Sequence, residues 1–226
     1  DETIEAILLK KGTVKKLKGS GDFRTDECIK YLKQCDICCT NPPFSLFAEL
    51  FSLLIKYRKQ FLLIGNQNAI TYKEIFPYIK ENKVWVGYRF GDMAFRVPAD
   101  TEPRNTRFWI DETGQKWRSL GNAMWLTNID IERRYHELKL TKYFDPKLYP
   151  KFDNFDGINV TRVADIPKDY DGIMGVPITY IKYHNGSQFE IIGEANHGSD
   201  NEFDLFKPRV NGKDLFKRIL IRRKDN

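Results

Sequence analysis

Asn41-Pro42-Pro43-Phe44 is the stretch of this sequence whose residue types and spacing could do chemistry. An exocyclic amine conjugated to a ring is a poor nucleophile, because its lone pair is delocalised. The side-chain amide oxygen of Asn41 and the backbone carbonyl of Pro42 can accept the two hydrogens of such an amine, drawing its nitrogen towards tetrahedral geometry. Pro42 and Pro43 fix the backbone, so the carbonyl is held in place and little reorganisation accompanies reaction. Phe44 adds an aromatic face on which a flipped base can stack. As a bare tetrapeptide the same residues could form an ordinary turn, so their setting decides.

That setting is a strand followed by a helix. Residues 35–40 form a short buried strand, which the prolines must end because neither can donate a ladder hydrogen bond. Upstream, Thr25 or Asp26 is placed to cap a helix through Lys33. Ser45 begins an amphipathic helix to about Arg58, with Leu46, Leu50, Leu53, Leu54 and Tyr57 near one face. Phe61-Leu62-Leu63-Ile64, closed by Gly65-Asn66, reads as a strand buried on both faces of a parallel sheet. Residues 71–80 make a further helix.

Strand and helix alternating at these spacings indicate an α/β sheet, whose ligands bind beyond the carboxyl ends of the strands. The loops at 41–44 and 65–68 both leave such ends and are expected to line one cleft. The amides of Asn66, Gln67 and Asn68 in the second loop suit base-edge recognition.

Further along, residues 84–88 and 123–127 read as strands. Between them Arg107-Phe108-Trp109-Ile110 and Gln115-Lys116-Trp117-Arg118 flank Asp111-Glu112-Thr113-Gly114, a hairpin. Its interleaved Arg104, Arg107, Trp109, Lys116, Trp117 and Arg118 could enter a nucleic-acid groove, or its tryptophans could pack into the core. From about Asp130 the text is rich in proline and in Asp-Gly and Asn-Gly turns, which places a boundary between residues 1–129 and 130–226. Lys213, Lys217, Arg218, Arg222, Arg223 and Lys224 give the C-terminal stretch a basic character that suits phosphate or guanine contacts. The blander reading is a solvated strand. Residues 13–18 alternate weakly, and Lys15, Lys16 and Lys18 read as its solvated face.

The 226 residues, 41% hydrophobic and 30% charged, fit a globular protein with a sizeable core. No apolar run approaches the roughly 20 residues needed to span a bilayer, and a cytoplasmic location without membrane association is expected. A net charge of +6 favours polyanionic partners without proving one. Cys35 and Cys38 form a C-x-x-C, but no second pair follows and His136, His184 and His197 lie far off, so the reading is reduced thiols and no metal.

Longer runs carry a family resemblance. Gly-Asp-Phe-Arg-Thr-Asp-Glu-Cys at 21–28, the motif at 36–44, and the run at 61–76 together resemble the EcoRI-type adenine-specific DNA methyltransferase family. So do the runs at 114–119, 170–179, 189–193 and 218–224. The resemblance implies a Rossmann-like methyltransferase core with a C-terminal α+β target-recognition region. It also implies S-adenosylmethionine as donor and adenine in double-stranded DNA as acceptor, reached by base flipping. A cognate restriction endonuclease would share the site without forming a stable complex. Asp22 and Phe23 are implied at the cofactor's adenine, with Asn41, Pro42, Pro43 and Phe44 as the catalytic motif.

One departure stands out. The family's order places a glycine-rich or acidic cofactor loop well upstream, yet residues 1–40 contain none, and the segment from Gly193 to Gly198 matches it poorly. The N-terminal cofactor half is therefore expected to lie outside this sequence. Asn-Pro-Pro-aromatic serves planar amines generally, so RNA adenine, cytosine or protein glutamine are alternative acceptors. A non-catalytic DNA-binding module is the alternative from another class.

Overall fold

The computed structural model describes residues 17–195 and 207–224. Lys15 and Lys16, and residues 196–198 of the glycine-bounded segment, lie outside them.

Thr25 starts helix α1 (Asp26–Gln34), its hydroxyl accepting from the Cys28 N–H, with Asp26 and Glu27 in the first turn where the helix dipole favours acids. At the other end the Lys59 ammonium donates to the carbonyls of Lys33 and Cys35, at 2.8 and 2.7 Å. Strand β1 (Ile37–Thr40) follows. The prolines then stop it as expected, and one 3-10 turn (Phe44–Leu46) leads into α2 (Phe47–Lys56). That helix is shorter than the pattern suggested. Its last turn closes at Tyr57, and Arg58 takes a positive φ of 52°.

Strand β2 (Gln60–Asn66) lies parallel to β1, with Thr40 opposite Leu63. Helix α2 makes the crossover that parallel strands need, and buries Phe47, Leu50, Phe51 and Leu54. Burying each of these side chains is worth about 1.5–3 kcal/mol. Gly65 is required here, because a Cβ would run into the Phe47 ring. The expectation of a fully parallel, doubly buried strand is corrected: Phe61, Leu63 and Gly65 are buried, whereas Leu62 and Ile64 are only half-buried. The reason is topological. On its far side β2 pairs antiparallel with β7 (Ala123–Thr127), giving the order β1-β2-β7-β3, with β3 at Trp85–Gly91.

The expected helix over 71–80 becomes a 3-10 turn (Gln67–Thr71) and a short α3 (Phe76–Lys80), with Pro77 in its first turn. Between β3 and β7 the chain forms a separate antiparallel sheet from β4 (Ala94–Arg96), β5 (Phe108–Ile110) and β6 (Lys116–Ser119), ordered β4-β6-β5. The hairpin is as read, its third strand is new, and its tryptophans do not join the core.

The loop-rich reading beyond residue 130 is also corrected. β8 (Ile158–Asn159), β9 (Met174–Pro177), β10 (Phe189–Ala195) and β13 (Arg218–Arg223) build a second four-stranded sheet ordered β10-β13-β9-β8. A small ribbon of β11 (Arg209–Val210) and β12 (Lys213–Asp214) precedes its central strand. Ile219, Leu220 and Ile221 are fully buried, so β13 is not a solvated strand. One hydrophobic cluster holds Phe47, Phe61 and Leu126 of the first sheet's side together with Met174, Phe189 and Ile221 of the second. The architecture is mixed α/β. No helix among the described residues is long and apolar enough to cross a membrane.

Candidate functional site

At the carboxyl end of β1 a groove of about 480 Å³ opens, lined by Asn41, Pro42 and Pro43 on one side and by Gly21 and Phe23 on the other. The two stretches singled out by the sequence thus share one wall-to-wall space. Pro42 is buried and Asn41 exposed. Neither the Asn41 amide nor the Pro42 carbonyl has a hydrogen-bond partner among the described residues, whereas the Pro43 carbonyl accepts from the Leu46 N–H at 2.9 Å. Two acceptors on consecutive residues are therefore unpaired among the described residues, at the end of a paired strand. Phe44 sits on the 3-10 turn, 41% exposed and outside the groove's lining, so it does not close the core.

The floor comes from α1 and β1. Cys28, Tyr31, Leu32 and Cys35 follow an i, i+3, i+4, i+7 spacing that sets them on one face of the helix and its exit, and all four line the groove. That spacing is the sequence signal that sets them on one face. Cys38 and Cys39 line it too, and burial pushes the Cys38 thiol up. All four cysteines are free, and among the described residues no group of three or more His, Cys, Asp or Glu is arranged to hold a metal.

Asp22 stands beside the groove but does not line it. Its carboxylate is engaged by Arg24, whose Nη2 donates to Oδ2 at 2.6 Å and whose Nε and backbone N–H donate to Oδ1 at 2.9 Å. Those hydrogen bonds from Arg24 hold the carboxyl down to about 2. Arg24 also bridges to Glu49 at 3.2 Å. The aromatic Phe23 and the apolar wall suit a planar ring such as the adenine of S-adenosylmethionine. The acidic partner that the methyltransferase resemblance assigns to Asp22 is shared with Arg24.

The loop after β2 is organised differently. Asn66 Oδ1 accepts from the Asn68 N–H at 2.9 Å and caps the 3-10 turn. Gln67 is tied to Asn122 through its N–H, at 2.7 Å, and through its side chain, at 3.4 Å. The Asn68 carbonyl accepts from Thr71 Oγ1 at 3.0 Å, and Lys217 donates to that same hydroxyl at 2.9 Å. Residues 66–68 leave the strand next to β1 as expected, yet none lines the groove with Asn41.

The basic residues divide likewise. Arg107 takes φ 56°, donates to the Leu120 carbonyl at 2.7 Å and lies against Gly121, where a Cβ would clash. Lys116 donates to the Thr101 carbonyl at 3.0 Å. The Arg118 guanidinium makes no hydrogen bond with a described residue. Arg223 pairs with Asp171 at 3.2 Å and Lys224 donates to the Gly186 carbonyl at 2.7 Å, while exposed Arg222 faces a shallow pocket beside Phe155 and Tyr170. Arg218 donates to Asn159 Oδ1 at 3.0 Å, and Lys213 is exposed on β12. Of the histidines, His184 is drawn into the fold beside Tyr180 Oη at 3.0 Å, and burial lowers its pKa to about 4. His136 is exposed, and His197 lies outside the described residues.

Glu194 carried no motif and no expectation. It is 3% exposed, one of its oxygens is buried without a partner among the described residues, and burial raises its pKa to about 7 against the pull of nearby Lys217.

Comparison with known proteins adds a family match: a profile described as adenine-specific methyltransferase EcoRI matches residues 2–224. The chain is 50% identical over 210 residues to type II methyltransferase M.EcoRI of Escherichia coli, covering 91% of this chain and 63% of that protein. It is 38% identical to type II methyltransferase M.MgeORF184P of Mycoplasma genitalium, covering 94% of this chain and 72% of the relative. Against M.MpnI of Mycoplasma pneumoniae the identity is 33%, covering 93% and 71%. The chain thus spans less than two thirds of the length of the Escherichia coli relative. No solved structure matches it.

Proposed function

The chain belongs to the EcoRI-type adenine-specific methyltransferase family, and from that premise we propose that it serves to methylate the 6-amino group of adenine in a specific sequence of duplex DNA. The observation that carries the proposal is the pair of open acceptors, the Asn41 amide and the Pro42 carbonyl, at the mouth of a groove shared with Phe23. An amine seated there loses conjugation as its hydrogens are held, and its lone pair becomes available. The acceptors are fixed before reaction by β1 and by buried Pro42, so no reorganisation is required at the moment of transfer.

S-adenosylmethionine supplies the electrophilic methyl group when bound. Phe23 and the apolar wall of the groove would hold its adenine, with Asp22 released in part from Arg24 to accept from the ring's amino group. Base pairing hides the target amine, so adenine must leave the stack at a cost of a few kcal/mol, and Phe44, exposed next to the acceptors, is positioned to receive it. Asn66, Gln67, Asn68, Arg107, Lys116, Arg118, Arg222 and Arg223 are the proposed DNA contacts. Those whose donors are already engaged would act by shaping the surface.

In the same reading residues 1–129 carry a Rossmann-like methyltransferase core and residues 130–226 a target-recognition region. The protein works in the cytoplasm alongside a restriction endonuclease that shares its site. A panel test decides the acceptor. Transfer of labelled methyl to duplex DNA, RNA and protein is compared, and duplex DNA is expected to take the label. Label confined to RNA or protein would replace the acceptor, and label in none would favour a binding module.

A further inference from the structure

Residues 92–122 leave the first sheet after β3 and return to it as β7, and the sheet they form on the way stands apart from both buried clusters. Its two faces differ. The ladder aligns Arg96, Trp117 and Trp109 in one row, and Phe95, Arg118 and Phe108 in the next, so the rows lie on opposite faces. The first row satisfies itself. Trp117 Nε1 donates to Asp111 Oδ2 at 2.7 Å, Trp109 stacks on Trp117 with 6.2 Å between centroids and 4° between planes, and the Arg96 guanidinium lies 5.5 Å from the Trp117 ring.

The second face has no such internal pairing. Phe95 is 42% exposed and Ile110, in the row of Lys116, 56%, with Phe108 and Arg118 half-buried beside them; Trp109 on the first face is exposed to a like degree, 41%, so pairing and not exposure separates the faces. The Arg118 guanidinium, between the two phenylalanines, has no hydrogen bond or ion pair among the described residues, unlike Arg107 and Lys116, whose donors hold backbone carbonyls. No carboxylate belongs to either row. Apolar groups around one free guanidinium suit a surface that combines sugar and base-methyl contact with a phosphate or a base edge.

We propose that the Phe95–Arg118–Phe108 face of this arm docks on duplex DNA, with Arg118 as its charged contact. The inference rests on the DNA-methyltransferase reading and adds to it which face, and which of the arm's cations, meets the duplex. The opposite tryptophan face builds the arm, and Arg107 and Lys116, whose donors hold backbone carbonyls, shape the docking surface without supplying its charged contact.

The test measures binding of a fluorescein-labelled mixed-sequence duplex by anisotropy at several salt concentrations. Arg118→Gln should weaken binding by roughly five- to 150-fold, the range that a lost arginine contact of roughly 1–3 kcal/mol spans. Arg118→Lys should recover part of that loss by keeping the charge. Phe95→Ser and Ile110→Ser should weaken binding several-fold, and Trp109→Ser on the other face by less than about twofold. Near-ultraviolet circular dichroism of the Trp109–Trp117 stack in Arg118→Gln, Phe95→Ser and Ile110→Ser shows that the arm is intact. If the parent binds duplex and these three variants bind as well as it does, the face serves another partner and the inference is overturned. Larger loss from Trp109→Ser than from Arg118→Gln would overturn the choice of face. A parent that binds no duplex would overturn the DNA reading itself.

Discussion

The loops after β1 and β2 leave neighbouring parallel strands, and asparagine stands at the head of each, yet the two asparagines do different work. Asn66 is consumed locally: its side chain caps the turn that follows, and Lys217 pins that turn from the second sheet through Thr71. Asn41 is followed by two prolines, which supply no N–H for its side chain to accept. Its amide is therefore left open at the groove. What separates an engaged from an unpaired asparagine is what the next two residues can donate.

Removing each side chain tests this contrast, beginning with the largest effect. Asn41→Ala is expected to lower methyl transfer by about two to three orders of magnitude, the usual cost of losing one preorganised hydrogen-bonding group. DNA affinity should stay within a few-fold, measured alongside by duplex anisotropy. Phe44→Ala should slow methylation of matched duplex by one to two orders, on a stacking contribution of about 1–3 kcal/mol per base. Phe44→Tyr should keep most activity, and a mispaired target adenine should shrink the loss, because extrusion then costs less. Equal rates for Phe44→Ala and parent on matched duplex would detach this ring from base stacking.

Glu194 probes the engaged side, being buried near the lysine that holds the loop after β2. Its folded pKa of about 7 lies above the ordinary 4.5, so the neutral form is favoured in the fold. The resulting stability is complete below about pH 4.5 and is lost as pH rises through 7, with a ceiling on the order of 3 kcal/mol. Denaturant unfolding of Glu194→Gln and parent should therefore diverge between pH 5 and 8, the variant gaining relative stability at the higher pH. Comparing the two cancels the opposite trend of His184, whose lowered pKa destabilises the fold as pH falls below 6.5. A difference independent of pH would show that Glu194 does not titrate in this window.

Smaller still, Asn66→Ala should cost about 1 kcal/mol of stability as a lost cap, while transfer falls far less than in Asn41→Ala. A collapse of activity with unchanged stability would give Asn66 a direct role. Finally, charge reversal at Arg222, Arg223 and Lys224 should flatten the salt dependence of DNA binding by roughly one unit rather than three, because Arg223 and Lys224 already have partners within the fold.

The sequence reveals most where local chemistry decides. The Thr25 cap, the end of β1 at Asn41 and the hairpin all rest on neighbours within a few residues. It reveals least where pairing is remote. β9 contains Gly175 and Pro177 and reads as loop, but becomes a strand because β13, more than 40 residues later, pairs with it. β4 has three residues and no alternation to mark it. The candidate site divides in the same way. Asn41, Pro42, Pro43 and Phe23 come together as their motifs suggest, whereas the engagement of Arg107 by Leu120, or of Arg24 by Asp22, depends on backbone geometry that residue types do not encode.

The central claim is that the open amide of Asn41 acts on the 6-amino group of adenine. The most direct measurement is labelled-methyl transfer to duplex DNA, followed by digestion to nucleosides and separation. Label is expected in N6-methyladenine for the parent and to fall about two to three orders of magnitude for Asn41→Ala. Label on another nucleoside, or equal N6-methyladenine from both proteins, would contradict the account.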